Sequence, residues 1–438
     1  MDRFETFITE NQDADITRLM LSCKDWPRSE DQALENIPAK DLAVCTIECR
    51  RRLAKKVPEW ASMTSLVYPT TLCCEQCSST ATARLKASIA ARIIKGTGGR
   101  IADLTGGLGI DTWAFSEIAS EVLYNEMNPS LCAAAGHNFK ALGRGNITVS
   151  SRKTEPGSVA GILGDFKPDI IFLDPARRDS AGKKVFLLED CSPDILKLVP
   201  ELFSFSRHTL LKLSPMADIS MVVERLCDAS LPCSGHPAGR GQCVREVHVI
   251  ACDGECKELL VWMDREYAGS PLTVCWEDGA GMEFNRRTEE RTRLMDSTYA
   301  RILFEPGKSF TKAGVTNILG ERLGLLKLAR FTHLFVPDAV LSEKEQEDKA
   351  SELIKFGKVF RIIEMLPLNK ASIKETGKKY PRSEVKARNI PMSSDELRSR
   401  LKVSSGEDAF IYGVRIETPV DSGNWLIVCR KLTLPSGI

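Results

Sequence analysis

The chain has 438 residues, of which 43% are apolar and 27% are charged, and its formal net charge is +1. This length exceeds what one hydrophobic core usually organises, so the sequence predicts two to four domains. The composition is typical of a globular protein, no apolar run reaches the length of a membrane span, and residues 1–5 lack a signal-peptide pattern. These observations exclude a membrane-spanning chain and favour a cytoplasmic protein.

Residues 1–95 show helical patterning, with apolar residues at three- and four-residue spacing in 31–35 and 41–53. A serine-capped helix is predicted to begin near Ser78 and to lead into the next segment. We interpret 1–95 as a helical region that packs on the domain after it.

Between residues 96 and 270, short apolar strands alternate with helical segments, which predicts a doubly wound parallel sheet. Two further strands, around 244–251 and 258–263, are spaced as an antiparallel hairpin. The predicted parallel strands are Ile101–Asp103, Glu121–Glu126, Ile147–Val149, Asp169–Asp174 and His208–Leu213.

The remaining chain predicts two small α+β domains, over 271–330 and 331–438. Within it, residues 355–402 contain 13 Lys or Arg against five Asp or Glu. A basic module on a slightly acidic body is typical of proteins with nucleic-acid partners, whereas solvated surface lysines are the alternative.

Fifteen cysteines are scattered through the chain without regular spacing, which favours reduced thiols over disulfides. Two close groups, Cys73-Cys74-Glu-Gln-Cys77 and Cys252-Asp-Gly-Glu-Cys256, were considered as metal ligands. A structural zinc site usually combines two tightly spaced pairs, whereas these groups are far apart and the second has three intervening residues. We therefore expect buried thiols and no metal.

The motif Asp103-Leu-Thr-Gly-Gly-Leu-Gly-Ile-Asp111-Thr joins a predicted strand to a predicted helix. A glycine turn of this kind brings backbone N–H groups and a helix N-terminus close to a ligand. A dinucleotide site favours a third glycine at the position of Thr112. The turn also lacks a basic residue, so a diphosphate ligand is disfavoured.

Acidic residues follow successive strands of the predicted sheet, where ligands of doubly wound folds bind. They suit an uncharged or cationic ligand, and S-adenosyl-L-methionine (SAM) has a cationic sulfonium, two ribose hydroxyls and no phosphate. We expect Asp103 and the loop backbone to hold its methionine end, Glu126 its ribose and Asp165 its adenine amino group. The candidate cofactor-binding residues are Asp103, Thr105, Gly106, Gly107, Gly109, Asp111, Glu126 and Asp165.

Several strings resemble a bacterial family of class I SAM-dependent methyltransferases. They are the glycine motif, Glu75-Gln-Cys-Ser-Ser-Thr-Ala-Thr-Ala-Arg-Leu-Lys-Ala, Leu173-Asp-Pro-Ala-Arg-Arg, Leu211-Lys-Leu-Ser-Pro-Met, Glu255-Cys-Lys-Glu-Leu-Leu, Phe304-Glu-Pro-Gly-Lys-Ser-Phe-Thr-Lys-Ala-Gly, Thr332-His-Leu-Phe and Asn389-Ile-Pro-Met-Ser-Ser-Asp-Glu-Leu-Arg. The resemblance implies a Rossmann-like methyltransferase domain over 96–270, a ferredoxin-like segment over 271–330 and a THUMP-like domain over 331–438. Because THUMP domains elsewhere bind RNA, it also implies an RNA methyltransferase acting on tRNA or rRNA.

The string Asp174-Pro175-Ala176-Arg177 follows the fourth strand. Amino-directed nucleic-acid methyltransferases commonly place Asp or Asn, two prolines and an aromatic residue there, and this chain keeps only the acid and the first proline. Uracil C5 methylation needs a cysteine nucleophile, and Leu213-Ser214-Pro215 after the fifth strand offers none. Exocyclic or ring-nitrogen methylation remains, with Asp174, Pro175 and Arg177 as the catalytic candidates.

Other residues receive weaker assignments. Arg178, Lys183 and Lys184 are candidate contacts for substrate phosphates. Gln76, Ser79 and Thr82 are candidate contacts for the cofactor, whereas Lys212, Glu246 and His248 are interpreted as structural.

The sequence thus predicts an enzyme that methylates a nitrogen of an RNA base and has no membrane association, and no obligate protein partner is inferable from it. The alternatives are a SAM-dependent enzyme that acts on a protein or small molecule, and a catalytically inactive RNA-binding protein.

Overall fold

The computed structural model describes residues 39–95, 98–176, 188–230, 242–285, 293–295, 300–338, 341–419 and 421–433. The chain divides into two compact units, and the division falls within one β-hairpin. The first unit comprises Met1–His248 and Glu258–Pro271, and the second comprises Val249–Lys257 and Leu272–Ile438. Among the described residues, no helix combines the length and apolarity that crossing a membrane requires.

The first unit begins with helices, which confirms the prediction for the part of 1–95 that is described; the pattern at 31–35 lies outside the described residues. The N-terminus of α4 is stabilised by Ser79, whose side chain accepts a hydrogen bond from the backbone of Thr82. Trp60 is fully buried and packs edge-on against Trp113, with 6.2 Å between ring centroids. The helices are α1 (Ala39–Lys56), α2 (Pro58–Ser62), α3 (Thr71–Gln76) and α4 (Thr80–Ile93).

All five predicted parallel strands are present, and the predicted hairpin follows them. Their strand order is β3-β2-β1-β4-β5-β7-β6, with β7 antiparallel to β5. The strands are β1 (Arg100–Asp103), β2 (Glu121–Asn125), β3 (Ile147–Ser150), β4 (Ile170–Leu173), β5 (His208–Leu213), β6 (Val244–Cys252) and β7 (Glu255–Asp264).

Helices connect the parallel strands, and their start signals are local. Asn128, Asp194 and Asp218 each cap the helix that follows with a side-chain oxygen. The helices are α5 (Ile110–Phe115), α6 (Pro129–Ala141), α7 (Val159–Leu163), α8 (Ile195–Phe205) and α9 (Ile219–Ala229).

The strand order explains where a ligand can bind. The chain proceeds from β1 to β2 and β3 on one side, and β4 and β5 lie on the other side of β1. The order therefore reverses between β1 and β4, and the crevice outside the carboxyl ends of strands at such a point is the usual ligand site. Asp103 ends β1, and Asp174 directly follows β4.

The second unit contains the hairpin β8 (Leu272–Glu277) and β9 (Ala280–Phe284) and a seven-stranded sheet in the order β11-β12-β10-β13-β16-β15-β14. Neighbouring strands of this sheet are antiparallel except β14 and β15. The strands are β10 (Ile302–Pro306), β11 (Leu325–Ala329), β12 (Thr332–Pro337), β13 (Gly357–Pro367), β14 (Arg382–Arg388), β15 (Ser404–Glu417) and β16 (Ser422–Lys431).

Five described helices accompany these strands. They are α10 (Lys308–Ala313), α11 (Thr316–Arg322), α12 (Glu343–Leu353), α13 (Lys370–Lys379) and α14 (Ser394–Leu401). The predicted boundary between 330 and 331 falls in the turn that joins the paired strands β11 and β12. Segments on both sides of this boundary thus contribute to one sheet, and the four-domain division stays a prediction.

Candidate functional site

The glycine turn requires glycine for two different physical reasons. Gly107 and Gly109 have φ values of 53° and 91°, in the left-handed region that other residues rarely adopt. At Gly106 the constraint is space, because a Cβ there would lie 2.1 Å from the ring of Tyr124. A Cβ at Gly107 would meet no atom nearer than the Thr105 carbonyl oxygen at 4.0 Å. The turn therefore presents open backbone at Gly107.

Two carboxylates hold this turn from below. Asp103 is buried, and it accepts hydrogen bonds from the Thr105 amide at 3.1 Å and from the Thr112 hydroxyl at 2.6 Å. Glu126 accepts from the Gly107 amide at 2.9 Å, and its other oxygen accepts from the Asn128 amide at 2.8 Å. Thr112, which occupies the place of a third glycine, thus binds the acid at the end of β1.

The ionisation of Asp103 is sensitive to its surroundings. Burial and the nearby charges of Asp111 and Asp174 together raise the pKa of Asp103 to about 7, although the hydrogen bonds from Thr112 and Thr105 oppose this shift. This carboxyl group therefore changes its charge close to neutral pH.

The Asp-Pro-Ala segment after β4 is attached directly to the glycine turn. The Asp174 amide donates to the Thr105 hydroxyl at 2.6 Å. On the other side, Ala176 and Ser192 exchange two backbone hydrogen bonds, of 2.7 Å and 3.1 Å. Asp174 and Pro175 are consequently fixed at both ends, and the hydroxyl of Thr105 joins the glycine turn to the Asp-Pro-Ala segment.

The side chain of Asp174 forms an ion pair with a lysine on the neighbouring strand. Lys212 lies on β5, is almost fully buried, and places its Nζ 2.5 Å from Asp174 Oδ2. The same Nζ lies 3.3 Å from the Ser78 hydroxyl and 3.9 Å from both Asp111 Oδ2 and Glu258 Oε2. Burial by itself would lower the pKa of Lys212, but Asp174, Glu258 and Asp111 together raise the pKa above the ordinary lysine value.

A second buried lysine completes the arrangement. Lys86 on α4 has no exposed side-chain surface, and its Nζ lies 2.6 Å from Glu258 Oε1, 3.1 Å from Asp111 Oδ1 and 3.0 Å from the Ser78 hydroxyl. Ser78 in turn donates to Asp111 Oδ2 at 2.8 Å. We call this set the buried charge network, and it consists of Lys86, Lys212, Asp111, Asp174 and Glu258 with Ser78.

Most of the predicted cofactor-binding residues come together. Asp103, Thr105, Glu126 and the three glycines form the turn and its supports, but Asp111 points into the buried charge network. Burial would raise the pKa of Asp111, but Lys86 and Lys212 lower the pKa below the ordinary value.

Asp165 lies in the exposed turn after α7 and forms no hydrogen bond with the other candidates among the described residues. Pro175 is buried beside Asp174. The predicted contributions of Arg177, Arg178, Lys183 and Lys184 fall outside the described residues.

Sequence reasoning missed four members of the buried charge network. Ser78 enters it, whereas the candidates beside it do not, since Gln76 is exposed and Ser79 bonds to Thr82 in the α4 cap. Lys212 was interpreted as structural, although a lone lysine near the carboxyl end of an apolar strand was a usable signal. The remaining missed residues, Lys86 and Glu258, lie on otherwise buried faces of α4 and β7.

The cysteine groups behave differently from each other. Cys73 and Cys74 are buried on α3, and Cys77 follows the helix as its C-terminal cap. In the second unit, Cys252 lies with Asp253 and Asp278, and the three ligand atoms are within 4.8 Å of one another. Both aspartates are exposed. Exposed acids of this kind are common without an ion, so no metal role is assigned.

The basic segment of the second unit carries many cations without a carboxylate partner. Within the described part of the chain, seven exposed Lys or Arg residues of 355–402 form no ion pair. Three of them share one face of α13 at four-residue spacing. We call these seven the unpaired cations, and they are Lys355, Lys358, Arg361, Lys370, Lys374, Lys378 and Lys402.

Comparison with known proteins agrees with this architecture. Residues 357–431 match a family model described as THUMP domain-like, and residues 303–343 match one described as a ferredoxin-like domain. No curated protein matches the chain significantly. A crystal structure named as a "putative methyltransferase" from Porphyromonas gingivalis is 29% identical, covers 96% of this chain and 98% of its own, and superposes with a TM-score of 0.74.

Smaller structures resemble part of the chain. A "putative RNA methyltransferase" from Pyrococcus horikoshii is 18% identical over 40% of this chain and 80% of its own, with a TM-score of 0.28. A SAM-dependent methyltransferase from Aquifex aeolicus is 18% identical over 40% of this chain and 87% of its own, with a TM-score of 0.27. TM-scores this low carry no argument about the whole chain.

The first unit has the large mixed sheet that is typical of the methyltransferase fold. The resemblance found in the sequence is confirmed: the chain joins this fold to C-terminal ferredoxin-like and THUMP-like domains.

Proposed function

We propose that this protein is a SAM-dependent methyltransferase that modifies a nitrogen of an RNA base. The observation that carries the proposal is the hydrogen bond between Thr105 and Asp174, which fixes the acid after β4 to the glycine turn. A methyl donor bound at the turn and an acceptor bound at Asp174 would then lie against one rigid frame. Methyl transfer by in-line displacement depends mainly on such positioning.

The acidic residues at the turn suit the cationic and hydroxyl-bearing groups of SAM. Asp103 and the open backbone at Gly107 would receive its methionine end, and Glu126 would accept from its ribose hydroxyls. Met127, which is 61% exposed directly after Glu126, offers apolar surface for the adenine ring. When bound there, the cofactor supplies an electrophilic methyl group. Asp165 stays a proposed partner of the adenine amino group.

The chain's own residues then have to hold the acceptor nitrogen. Asp174 Oδ2 is bonded to Lys212, while Oδ1 makes no hydrogen bond within the described residues. We assign Oδ1 to accept from an amino group of the base, so that the nitrogen lone pair faces the methyl donor. Pro175 keeps the segment extended. Its contacts with Lys86, Lys212 and Ser78 give Asp111 a supporting role within the buried charge network.

RNA is the partner that the second unit favours. The unpaired cations are exposed on a unit that includes the THUMP-like match, and RNA phosphates are the natural ligands for such a distribution of charge. Seven exposed cations spread over one segment suit a long polyanion such as RNA better than a small-molecule substrate.

The test combines cofactor binding with methyl transfer by the full-length protein. We expect radiolabelled SAM to bind, and Glu126→Ala or Asp103→Ala to weaken that binding at least tenfold. Labelled methyl groups should then enter RNA from a strain that lacks the gene, and not RNA from the parent strain. Mass spectrometry of the nucleosides identifies the product.

The outcomes of the SAM-binding and methyl-transfer assays distinguish the three candidate functions. SAM binding with methylation of protein or of a small-molecule extract, and not of RNA, would overturn the RNA assignment. Absence of SAM binding would overturn the methyltransferase proposal, and RNA binding without it would indicate an inactive RNA-binding protein. Lys167→Met serves as the control variant because Lys167 is exposed and lies away from the glycine turn in sequence.

A further inference from the structure

The buried charge network contains two lysines and three carboxylates, and the proposed binding of SAM does not require this number of charged groups. Lys86, Lys212 and Glu258 are each less than 5% exposed, so each has lost most of its hydration. Burying a charge is costly unless it is paired, and an arrangement of this kind rarely improves stability over an apolar core. Its retention at the carboxyl ends of β4 and β5 calls for a functional explanation.

Among the charged side chains of the network, all of which lie in the described residues, only Asp174 reaches toward solvent. Its side chain is 28% exposed, whereas the other four are 10% exposed or less. The Lys212 Nζ is therefore placed between a half-buried acid that faces the crevice and two deeper acids, Asp111 and Glu258. The bond from Lys212 to Asp174 Oδ2 restrains the rotation of the carboxylate.

We propose that Lys212 is a positioning residue for methyl transfer. It orients the Asp174 carboxylate so that Asp174 Oδ1 accepts a hydrogen bond from the acceptor nitrogen. This inference rests on the proposed function. Lys86 acts one step further back, since it neutralises Asp111 and Glu258 and so leaves Lys212 bound to Asp174. The charged and titratable groups around Lys212 are Asp174, Asp111, Glu258, Lys86 and Cys77.

The proposal makes a specific kinetic prediction. Lys212→Met removes the partner of Asp174 but touches no part of the glycine turn. We expect kcat for methylation of RNA from the gene-deletion strain to fall about 100-fold, the loss that a misplaced reacting group typically causes. The dissociation constant for SAM should change by less than about threefold. Lys212→Arg, which keeps the charge, should recover part of the kcat.

A double-mutant cycle separates positioning from a general structural effect. If Lys212 acts through Asp174, the variant that combines Lys212→Met with Asp174→Asn should be no slower than Asp174→Asn alone. Additive losses in kcat, an unchanged kcat in Lys212→Met, or an equal loss in SAM affinity would each overturn the proposal. Lys167→Met is the matched control for loss of an exposed lysine.

The same cycle measured by urea unfolding requires no activity. We expect the two single substitutions to be coupled in the urea midpoint, and an absence of coupling overturns the inferred ion pair directly. If wild-type protein binds SAM and shows this coupling but methylates no RNA, the RNA assignment fails while the Lys212–Asp174 pair stands. Where Lys212→Met does not fold, Lys212→Gln replaces it, because it keeps a polar side chain in the site while removing the ammonium that holds Asp174; an unchanged kcat there counts against the proposal.

Discussion

The two units use charge in opposite ways. In the first, five charged side chains meet in a largely dry interior, and each is matched to another at a distance of 3.9 Å or less. In the second, seven exposed cations form no ion pair among the described residues. Buried charges hold one geometry and are little screened by salt, whereas exposed charges attract a polyanion over a distance and are strongly screened. Under the proposed function, the first unit would carry out methyl transfer and the second would capture the RNA.

The largest effect should come from breaking the interior arrangement. Lys86→Met leaves Asp111 and Glu258 without their nearest ammonium, so we expect the free energy of unfolding to fall by about 3–5 kcal/mol. Urea unfolding at low and at high salt measures it, and the loss should be nearly the same in both. Lys55→Met, at an exposed position of α1, should change it by less than about 0.5 kcal/mol. A small or salt-dependent loss for Lys86→Met would show that the network is solvated.

The glycine turn offers the next largest effect. Gly106→Ala drives a Cβ into the ring of Tyr124, whose hydroxyl also holds the Gly107 carbonyl at 2.6 Å. Overpacking of this kind costs about 1–3 kcal/mol, and we expect SAM to bind about 10- to 100-fold more weakly. Isothermal titration calorimetry measures the affinity. Gly145→Ala is the matched control, because a Cβ there meets no atom within 4 Å; equal effects in both variants would contradict the turn's assignment.

The exposed cations predict a smaller effect with a distinct signature. Replacing Lys370, Lys374 and Lys378 with Gln removes the cationic face of α13, and RNA affinity should fall about tenfold near physiological salt. The slope of log affinity against log salt should drop by about 2, since each phosphate contact contributes about 0.7 on a single strand. SAM affinity should not change.

The control for this triple variant carries the same loss of charge at scattered exposed sites, Lys55, Lys167 and Lys344. Gel-shift titrations at several salt concentrations compare the two proteins. Equal salt slopes in the two proteins would mean that RNA affinity depends on net charge alone. The cationic face of α13 would then have no specific role in RNA binding.

The smallest effect concerns pH. Because the pKa of Asp103 is raised to about 7, this side chain gains its negative charge between about pH 6 and pH 8, and the affinity for cationic SAM should rise a few-fold over that range. The ligand-free protein should show the opposite trend. An acid whose pKa is higher in the folded than in the unfolded state loses stability as pH rises from about 4 to 7, with no further change above. Asp103→Asn should flatten both curves.

Much of this could be predicted from the sequence because the signals are local. Apolar runs such as Ile170–Leu173 specify buried strands, and capping residues such as Ser393 specify helix starts. Gly107 and Gly109 mark the turn because few other residues adopt its backbone angles. Strand β14 escaped prediction, since the charged residues of Arg382–Arg388 mask its alternation.

The partners of Asp174 could not be predicted in the same way. Lys212 and Glu258 are separated from it by 38 and 84 positions, and only the neighbouring of β4, β5 and β7 in the sheet brings them together. Each looked structural when considered alone, because a single charge in an apolar strand has no identifiable partner until the strand order is known.

The hydroxyl of Thr105 has a kinetic consequence. This hydroxyl accepts a hydrogen bond from the Asp174 amide, and the Thr105 amide donates to Asp103, so Thr105 supports both the proposed cofactor site and the proposed acceptor site. If the turn shifted when a new methyl donor replaced the spent cofactor, the shift would reach Asp174 through the single hydrogen bond to Thr105. Binding of the methyl donor and binding of the acceptor would then be coupled through Thr105, and this coupling would influence the order in which the two bind and leave.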